Sequence, residues 1–271
     1  MVKSFVNYSY SDSKLKYQLA PELYETVGLT NNNLFYNTTY NTNINDKWVL
    51  KSGVAYNRNF DETVVSEVDL NEDYATIYSK LGLVHYASNA VTVKFGGEVL
   101  YTDYEREVFL KEQQIAHVYS VYDVLTSGYI ESDFKLSRKF AVRLGARGEY
   151  STMTRNYNIA PRTSLAYKVS KGSQFSLAAG KYYQQAHYQY LKYSNDINFE
   201  VADHYIINYQ YQEDKRVFRT ELYYKNYNSL ITYQMGDVVE YEQLANNGNG
   251  FAKGIDFFWR DNKTLKNTDY W

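Results

Sequence analysis

Alternation with a period of two residues runs through most of this chain and restricts its fold more than any other feature. In 140–150, FAVRLGARGEY, Phe140, Val142, Leu144, Ala146 and Tyr150 fall on one side of an extended backbone, and Arg143, Gly145, Arg147 and Glu149 on the other. The pattern recurs: Val91, Val93, Phe95, Val99 and Tyr101 oppose Thr92, Lys94, Glu98 and Thr102, while Tyr205, Ile207, Tyr209 and Tyr211 oppose His204, Asn208 and Gln210. Phe218, Leu222 and Tyr224 oppose Arg219, Glu221 and Lys225 in the same way. A helix, with its 3.6-residue period, would scatter both sets around its axis, so these segments are strands.

The breaks between strands come in two kinds that take turns along the chain. Short turns are expected at Asn45-Asp46-Lys47, Ser88-Asn89, Ser137-Arg138-Lys139, Ser170-Lys171-Gly172-Ser173 and Glu213-Asp214-Lys215-Arg216. Longer polar stretches run from Ser11 to Thr30, Asp61 to Glu72, Glu105 to Gln114, Thr154 to Asn158, Gln185 to Val201 and Gln234 to about Glu240, and these are assigned to loops. The sum is about twelve strands, with a thirteenth starting near Tyr270. An all-β, antiparallel up-and-down meander with short turns at one end and long connections at the other fits a transmembrane β-barrel. No window approaches the ~18 consecutive apolar residues of a membrane-spanning helix, but strands cross with only ~9 to 11 residues.

Charge decides which face would meet lipid. One face carries Lys94, Glu98, Glu131, Asp133, Lys135, Arg143, Arg147, Glu149, Lys168, Arg219, Glu221 and Lys225. A basic side chain at the bilayer midplane costs ~2 to 4 kcal/mol, so this face must line a polar lumen and the Phe, Val, Leu and Tyr face must meet outer-membrane lipid. Tyr is in large excess, 32 residues beside 13 Phe and 3 Trp in 271. A ring with an apolar body and a polar tip suits a membrane interface, so Trp48, Tyr56, Tyr86, Tyr101 and Tyr150 are expected in aromatic girdles. Cross-strand packing is the competing reading for any single Tyr. Tyr182, Tyr183, Tyr188, Tyr190 and Tyr193 cluster around a long connection and are candidate ligand contacts.

Other chemistries find little support. With 29 basic against 31 acidic residues there is no electrostatic footprint for nucleic acid. Without Cys there is no disulfide, thiol nucleophile or thiolate metal site. His85, His117, His187 and His204 lie far apart, outside any ligand spacing, so no metal, cofactor or catalytic residue is assigned. Asn246-Asn247-Gly248-Asn249-Gly250 precedes a strand rather than a helix and is assigned to a loop or bulge.

Four strings, YIESDFKLSRKFAVRLGARGEYS, APRTSLAYKVSKGSQFSLAAGKYYQ, ADHYIINYQYQEDKRVFRTELYYKNYNSLITY and NNGNGFAKGIDFFWRDN, resemble in kind and order the C-terminal barrel of TonB-dependent outer-membrane receptors, particularly the Bacteroidetes type. The Gly-x-Arg-x-Glu strand of that family corresponds to Gly145–Glu149, and its Pro-Arg-x-Ser-x-x-Tyr strand to Pro161–Tyr167. The resemblance covers Tyr129 to Asn262. It implies energised import, across the cell outer membrane, of a scarce nutrient such as a metal chelate, vitamin or glycan. Ligand would dock on outward loops, and a plug domain would carry the signal to the TonB complex. Nothing in the chain resembles the plug, and about twelve strands is roughly half of a barrel of about 22. The expectation is therefore that residues 1–271 are part of one barrel domain whose plug and final strands lie elsewhere. A complete small passive porin and, less favoured, a barrel enzyme are the alternatives.

Overall fold

In the computed structural model of this chain, residues 1–20, 22–191, 197–235 and 241–261 are described. They form twelve strands and one four-residue helix. The strands are β1 (Val2–Ala20), β2 (Leu23–Asn45), β3 (Trp48–Val65), β4 (Val68–Tyr86), β5 (Val91–Leu110), β6 (Ile115–Lys135), β7 (Phe140–Ser151), β8 (Tyr157–Lys168), β9 (Ser173–Gln184), β10 (Glu200–Glu213), β11 (Arg216–Met235) and β12 (Tyr241–Asp261). The helix, α1 (Tyr188–Leu191), lies between β9 and β10. Each strand pairs with its neighbours in sequence, in the single order β1 to β12, so the topology is an uninterrupted up-and-down meander.

All five short turns form where turn chemistry placed them, between β2 and β3, β4 and β5, β6 and β7, β8 and β9, and β10 and β11. Four share one device. The first turn residue turns its side-chain oxygen back onto the two amides that open the next strand. Asn45 Oδ1 accepts from the Lys47 and Trp48 amides at 2.9 and 3.1 Å, and Ser88 Oγ from Ala90 and Val91 at 3.2 and 3.1 Å. Ser137 Oγ accepts from Lys139 and Phe140, and Ser170 Oγ from Gly172 and Ser173. A short side chain that accepts from these amides closes the turn locally. The fifth turn instead holds Asp214 at φ 50°, the left-handed conformation of a tight hairpin.

The polar stretches assigned to loops need correction. Three of the six are largely strand. Ser11 to Thr30 continues β1 and β2 in register, from Asp12 opposite Thr30 to Gln18 opposite Tyr24. β3 runs on to Val65, β4 starts at Val68 and β5 reaches Leu110. β11 likewise extends to Met235, with 236–240 outside the described residues. In Asp61–Val65 and Glu105–Leu110 charged and apolar residues no longer alternate, although the strands continue there. Among the described residues, those around Thr154 and Gln185–Leu191 with Ile197–Phe199 lie outside the strands. The Asn246–Gly250 segment is part of β12, and register shifts opposite it between Tyr227 and Thr232, with Ser229 at φ 55°, mark the expected bulge. The segment around Tyr270 lies outside the described residues.

By internal packing the chain divides into two units. The first comprises Met1–Leu83, Gly96–Ser127 and Tyr150–Arg155; the second comprises Val84–Phe95, Gly128–Glu149 and Asn156–Trp271. Most of the buried side chains described in the first unit are polar, Tyr104 and Val121 excepted. Thr102, Asp123 and Ser151 are almost wholly buried there. Asp123 Oδ1 accepts from Ser151 Oγ, Thr152 Oγ1 and the Met153 amide at 3.0 to 3.1 Å, which ties the start of the β7–β8 connection to β6. In the second unit most of the apolar burial lies in the β9–β10 connection, where Ala186, Tyr188, Leu191, Ile197 and Phe199 are sequestered, with Val84 and Ala160 buried on strands. The large apolar side chains of the strands point the other way. Leu177, Tyr205, Ile207, Leu222 and Ile255 are about half exposed. So broad an exposed apolar surface is a lipid-facing one.

Candidate functional site

The face opposite that apolar surface carries the charged residues that alternation placed there. In the first unit, Lys80 Nζ meets buried Glu98 at 2.8 Å, and the Tyr104 hydroxyl donates to Glu72 at 2.6 Å. Between β2 and β3 the same face is made of amides: Asn31 Nδ2 donates to Asn59 Oδ1 at 2.9 Å and to Asp61 Oδ1 at 2.6 Å, and Asn33 Nδ2 to Asn57 Oδ1 at 3.0 Å. Near the tip of the β1–β2 ribbon the Tyr17 hydroxyl donates to Glu25 at 2.7 Å, and that carboxylate holds the phenol above its ordinary range.

In the second unit the charges close into a network. Lys94 Nζ lies 2.9 Å from Glu131 and 3.0 Å from Asp133 on the adjacent strand. Arg143 on β7 grips the same Asp133 with two nitrogens, Nε at 2.5 Å and Nη2 at 3.3 Å. Arg147 pairs with Glu149 two residues on at 2.7 Å, and Glu149 accepts from Asn158 Nδ2 at 3.1 Å. Gly145 sits within this patch, where an added Cβ would meet the Ile130 carbonyl at 3.4 Å. The polar face of β5 to β7 therefore neutralises itself.

The polar face of β8 to β12 does not. Arg162, Gly180, His204, Lys225 and Ala252 stand opposite one another in a single row across β8, β9, β10, β11 and β12. Arg162 lies over the ring of Tyr182, 4.5 Å from its centroid, and the His204 ring approaches the same Tyr at 4.5 Å. Lys225 faces the ring of Tyr223 at 5.3 Å. Among the described residues neither Arg162 nor Lys225 has a carboxylate within ion-pair distance. Arg219 and Glu221 are further along this face, opposite Gln210 and Asn208, and Lys168 stands opposite Gln174 at its turn end.

Two of the five candidate ligand tyrosines point away from each other along one strand. Tyr182 belongs to the polar face, and Tyr183 packs edge-on against Phe199 at 6.4 Å. Tyr188 is buried, Tyr190 stacks on Tyr233 at 5.6 Å, and Tyr193 lies outside the described residues. The girdle candidates divide as well. Tyr101 and Tyr150 are exposed on the apolar face beside Val99 and Leu144, and Trp48 and Tyr56 share that face with Val54. Tyr86 is exposed but has the strand parity of Lys80 and Val84, on the polar side. Sequence reasoning missed an aromatic line on the apolar face near the short turns, where Phe175, Tyr209, Phe218 and Trp259 follow one another at centroid distances of 4.7 to 6.3 Å. Each was visible as an aromatic, but their alignment depends on register.

A sheet of sequential antiparallel strands, apolar on one face, charged on the other and with alternating short and long connections, has counterparts among solved structures. The outer membrane transporter YddB from Escherichia coli superposes with a TM-score of 0.72 at 13% identity, over 96% of this chain and 43% of that one. The fold is that of part of an outer-membrane β-barrel. The ferric enterobactin receptor PfeA (G324V mutant) from Pseudomonas aeruginosa gives 0.69 at 11% identity, over 98% of this chain and 50% of that one. The alcaligin outer-membrane receptor FauA from Bordetella pertussis gives 0.68 at 14%, over 98% and 48%. This chain spans half or less of the length of these structures. No family model matches it, and no curated protein does.

Among the described residues no cluster of three His, Asp or Glu side chains could hold a metal ion. What this wall offers chemically is electrostatic: a neutralised patch on β5 to β7 and a cationic, aromatic row on β8 to β12.

Proposed function

We propose that this chain is part of the wall of a TonB-dependent outer-membrane receptor, of the Bacteroidetes type, that imports a scarce nutrient. The observation that carries this reading is the division of the sheet into an exposed apolar face and a face whose charges either pair along the wall, as at Lys94, Asp133 and Arg143, or remain open, as at Arg162 and Lys225. Only a sheet with lipid on one side and water on the other satisfies both faces. The solved neighbours support it, since they are transporters or receptors of the outer membrane.

In this reading the strands serve as scaffold and selective lining, and the chemistry is binding rather than bond making. Ligand, a metal chelate, vitamin or glycan, docks among the outward connections. A plug domain outside these 271 residues couples the wall to the TonB complex. The aligned aromatics at the short-turn end sit at the inner lipid boundary, where amphipathic rings are most stable.

The test is uptake by cells carrying the chain at its natural locus. Deletion is expected to abolish growth on limiting amounts of one nutrient, and dissipating the proton gradient should stop its accumulation. Accumulation that continues without a proton gradient would instead establish a passive porin.

A further inference from the structure

The row on β8 to β12 has features that neither neutralisation of the wall nor packing explains. Gly180 is the position opposite both Arg162 and His204. A Cβ there would approach Arg162 Cγ at 3.1 Å and the Tyr182 ring at 3.4 Å. The missing side chain is what lets the Tyr182 ring settle over β9, with the Arg162 guanidinium from β8 and the His204 imidazole from β10 as its neighbours. Two strands further on the device recurs: an added Cβ at Gly254 would collide with the Tyr223 hydroxyl, and Tyr223 is the ring that Lys225 faces. Two cations are thus held by rings rather than by carboxylates. Their outer edges keep their hydrogen-bonding capacity toward water.

An arginine stacked by its face leaves its fork of N–H donors directed sideways, the geometry that matches a carboxylate. Tyr182 is flanked by Arg162 and His204, so it offers a ligand its hydroxyl and not a free ring face. Recognition here is therefore of charge rather than aromatic stacking. Two cations set apart across the Tyr182 and His204 rings suit a molecule with more than one anionic group. Tyr182 lies two residues from the end of β9 and His204 four from the start of β10, so the row is beside the Gln185–Phe199 connection, where an entering solute first meets the wall.

We propose that Arg162, Tyr182, His204 and Lys225 form a binding row for a small polycarboxylate on the polar face of β8 to β12. It deepens the transport reading, resting on it only for the exposure of this face to water.

The probe is citrate, and the readout is acylation of lysine amines in outer-membrane fragments from cells carrying the chain at its natural locus, followed by peptide mass spectrometry. With citrate at ten times its half-saturating concentration, acylation of Lys225 is expected to fall about ten-fold. Glycerol at the same concentration should change nothing, and Lys94, already paired, serves as the internal reference. In Arg162→Gln the protection at Lys225 should vanish while Lys94 reacts as before, which separates loss of the row from loss of the fold. Gly180→Ala, which displaces Arg162 and keeps its charge, should lose protection in the same way. Equal acylation of Lys225 with and without citrate would overturn the proposal. So would a zero-length carbodiimide cross-link joining Lys225 to a carboxylate of another polypeptide segment, because the row would then be a seat for protein. Failure of the uptake experiment leaves this readout intact, since it measures occupancy and not transport.

Discussion

The polar faces of β5 to β7 and of β8 to β12 carry the same residue types and treat them in opposite ways. On the first, Lys94 and Arg143 converge on Asp133, so both cations are neutralised by carboxylates of the strand between them. On the second, Arg162 and Lys225 rest on tyrosines. A cation within a wall can be spent on the wall or kept for a solute. Neighbouring carboxylates spend it; a ring and a glycine position it without discharging it.

Breaking the first arrangement should have the largest effect. Asp133→Leu leaves Lys94 and Arg143 sharing Glu131 alone, with a net positive charge in a half-buried patch. The expected cost is about 2 kcal/mol, less than for a fully buried pair because these side chains are a quarter to a half exposed. It would be read as a lower temperature at which the native band of outer-membrane fragments converts to the denatured one on a gel. Arg143→Gln should cost about 1 kcal/mol by the same measurement, since two charge-assisted bonds to Asp133 are lost. Gly180→Ala comes next, at under about 1 kcal/mol, because the atoms that must move are side-chain ones. Arg162→Gln, chemically the same change as Arg143→Gln, should fall within about 0.5 kcal/mol of the parent, one stacking contact being offset by relief of an unneutralised charge. Equal costs for the two Arg substitutions would erase the distinction.

Sequence reasoning recovered what local chemistry controls. The short turns were legible because each contains a Ser, Asn or Asp able to close it, and the two faces were legible wherever apolar and charged residues alternate. The ends of β3 and β5 were not, because Asp61–Val65 and Glu105–Leu110 place charged and apolar residues in blocks rather than in alternation; between β2 and β3, Asn31, Asn33, Asn57 and Asn59 satisfy one another across strands, a pairing that no local pattern signals. Nothing in the sequence around Asp123 sets it apart from other acids on strands. Its role appears only when β6 and the Ser151–Met153 segment meet, some 30 positions apart in sequence. Likewise, which cation finds a carboxylate depends on register, and a slip of two residues would pair different partners. Tyr182 and Tyr183 are adjacent letters, yet one faces the charged row and the other the packed connection.

Because every strand in the order β1 to β12 pairs only with its sequence neighbours, the wall is assembled from interchangeable hairpins. Duplicating or deleting one hairpin, two strands with their Ser- or Asn-closed turn, preserves the inside and outside of every other strand, whereas adding a single strand would reverse the direction of all that follow. Circumference in such a wall can therefore change in steps of two without redesign of a core. Binding residues confined to a few adjacent strands, as Arg162, Tyr182, His204 and Lys225 are, could travel between walls of different size as one heritable cassette.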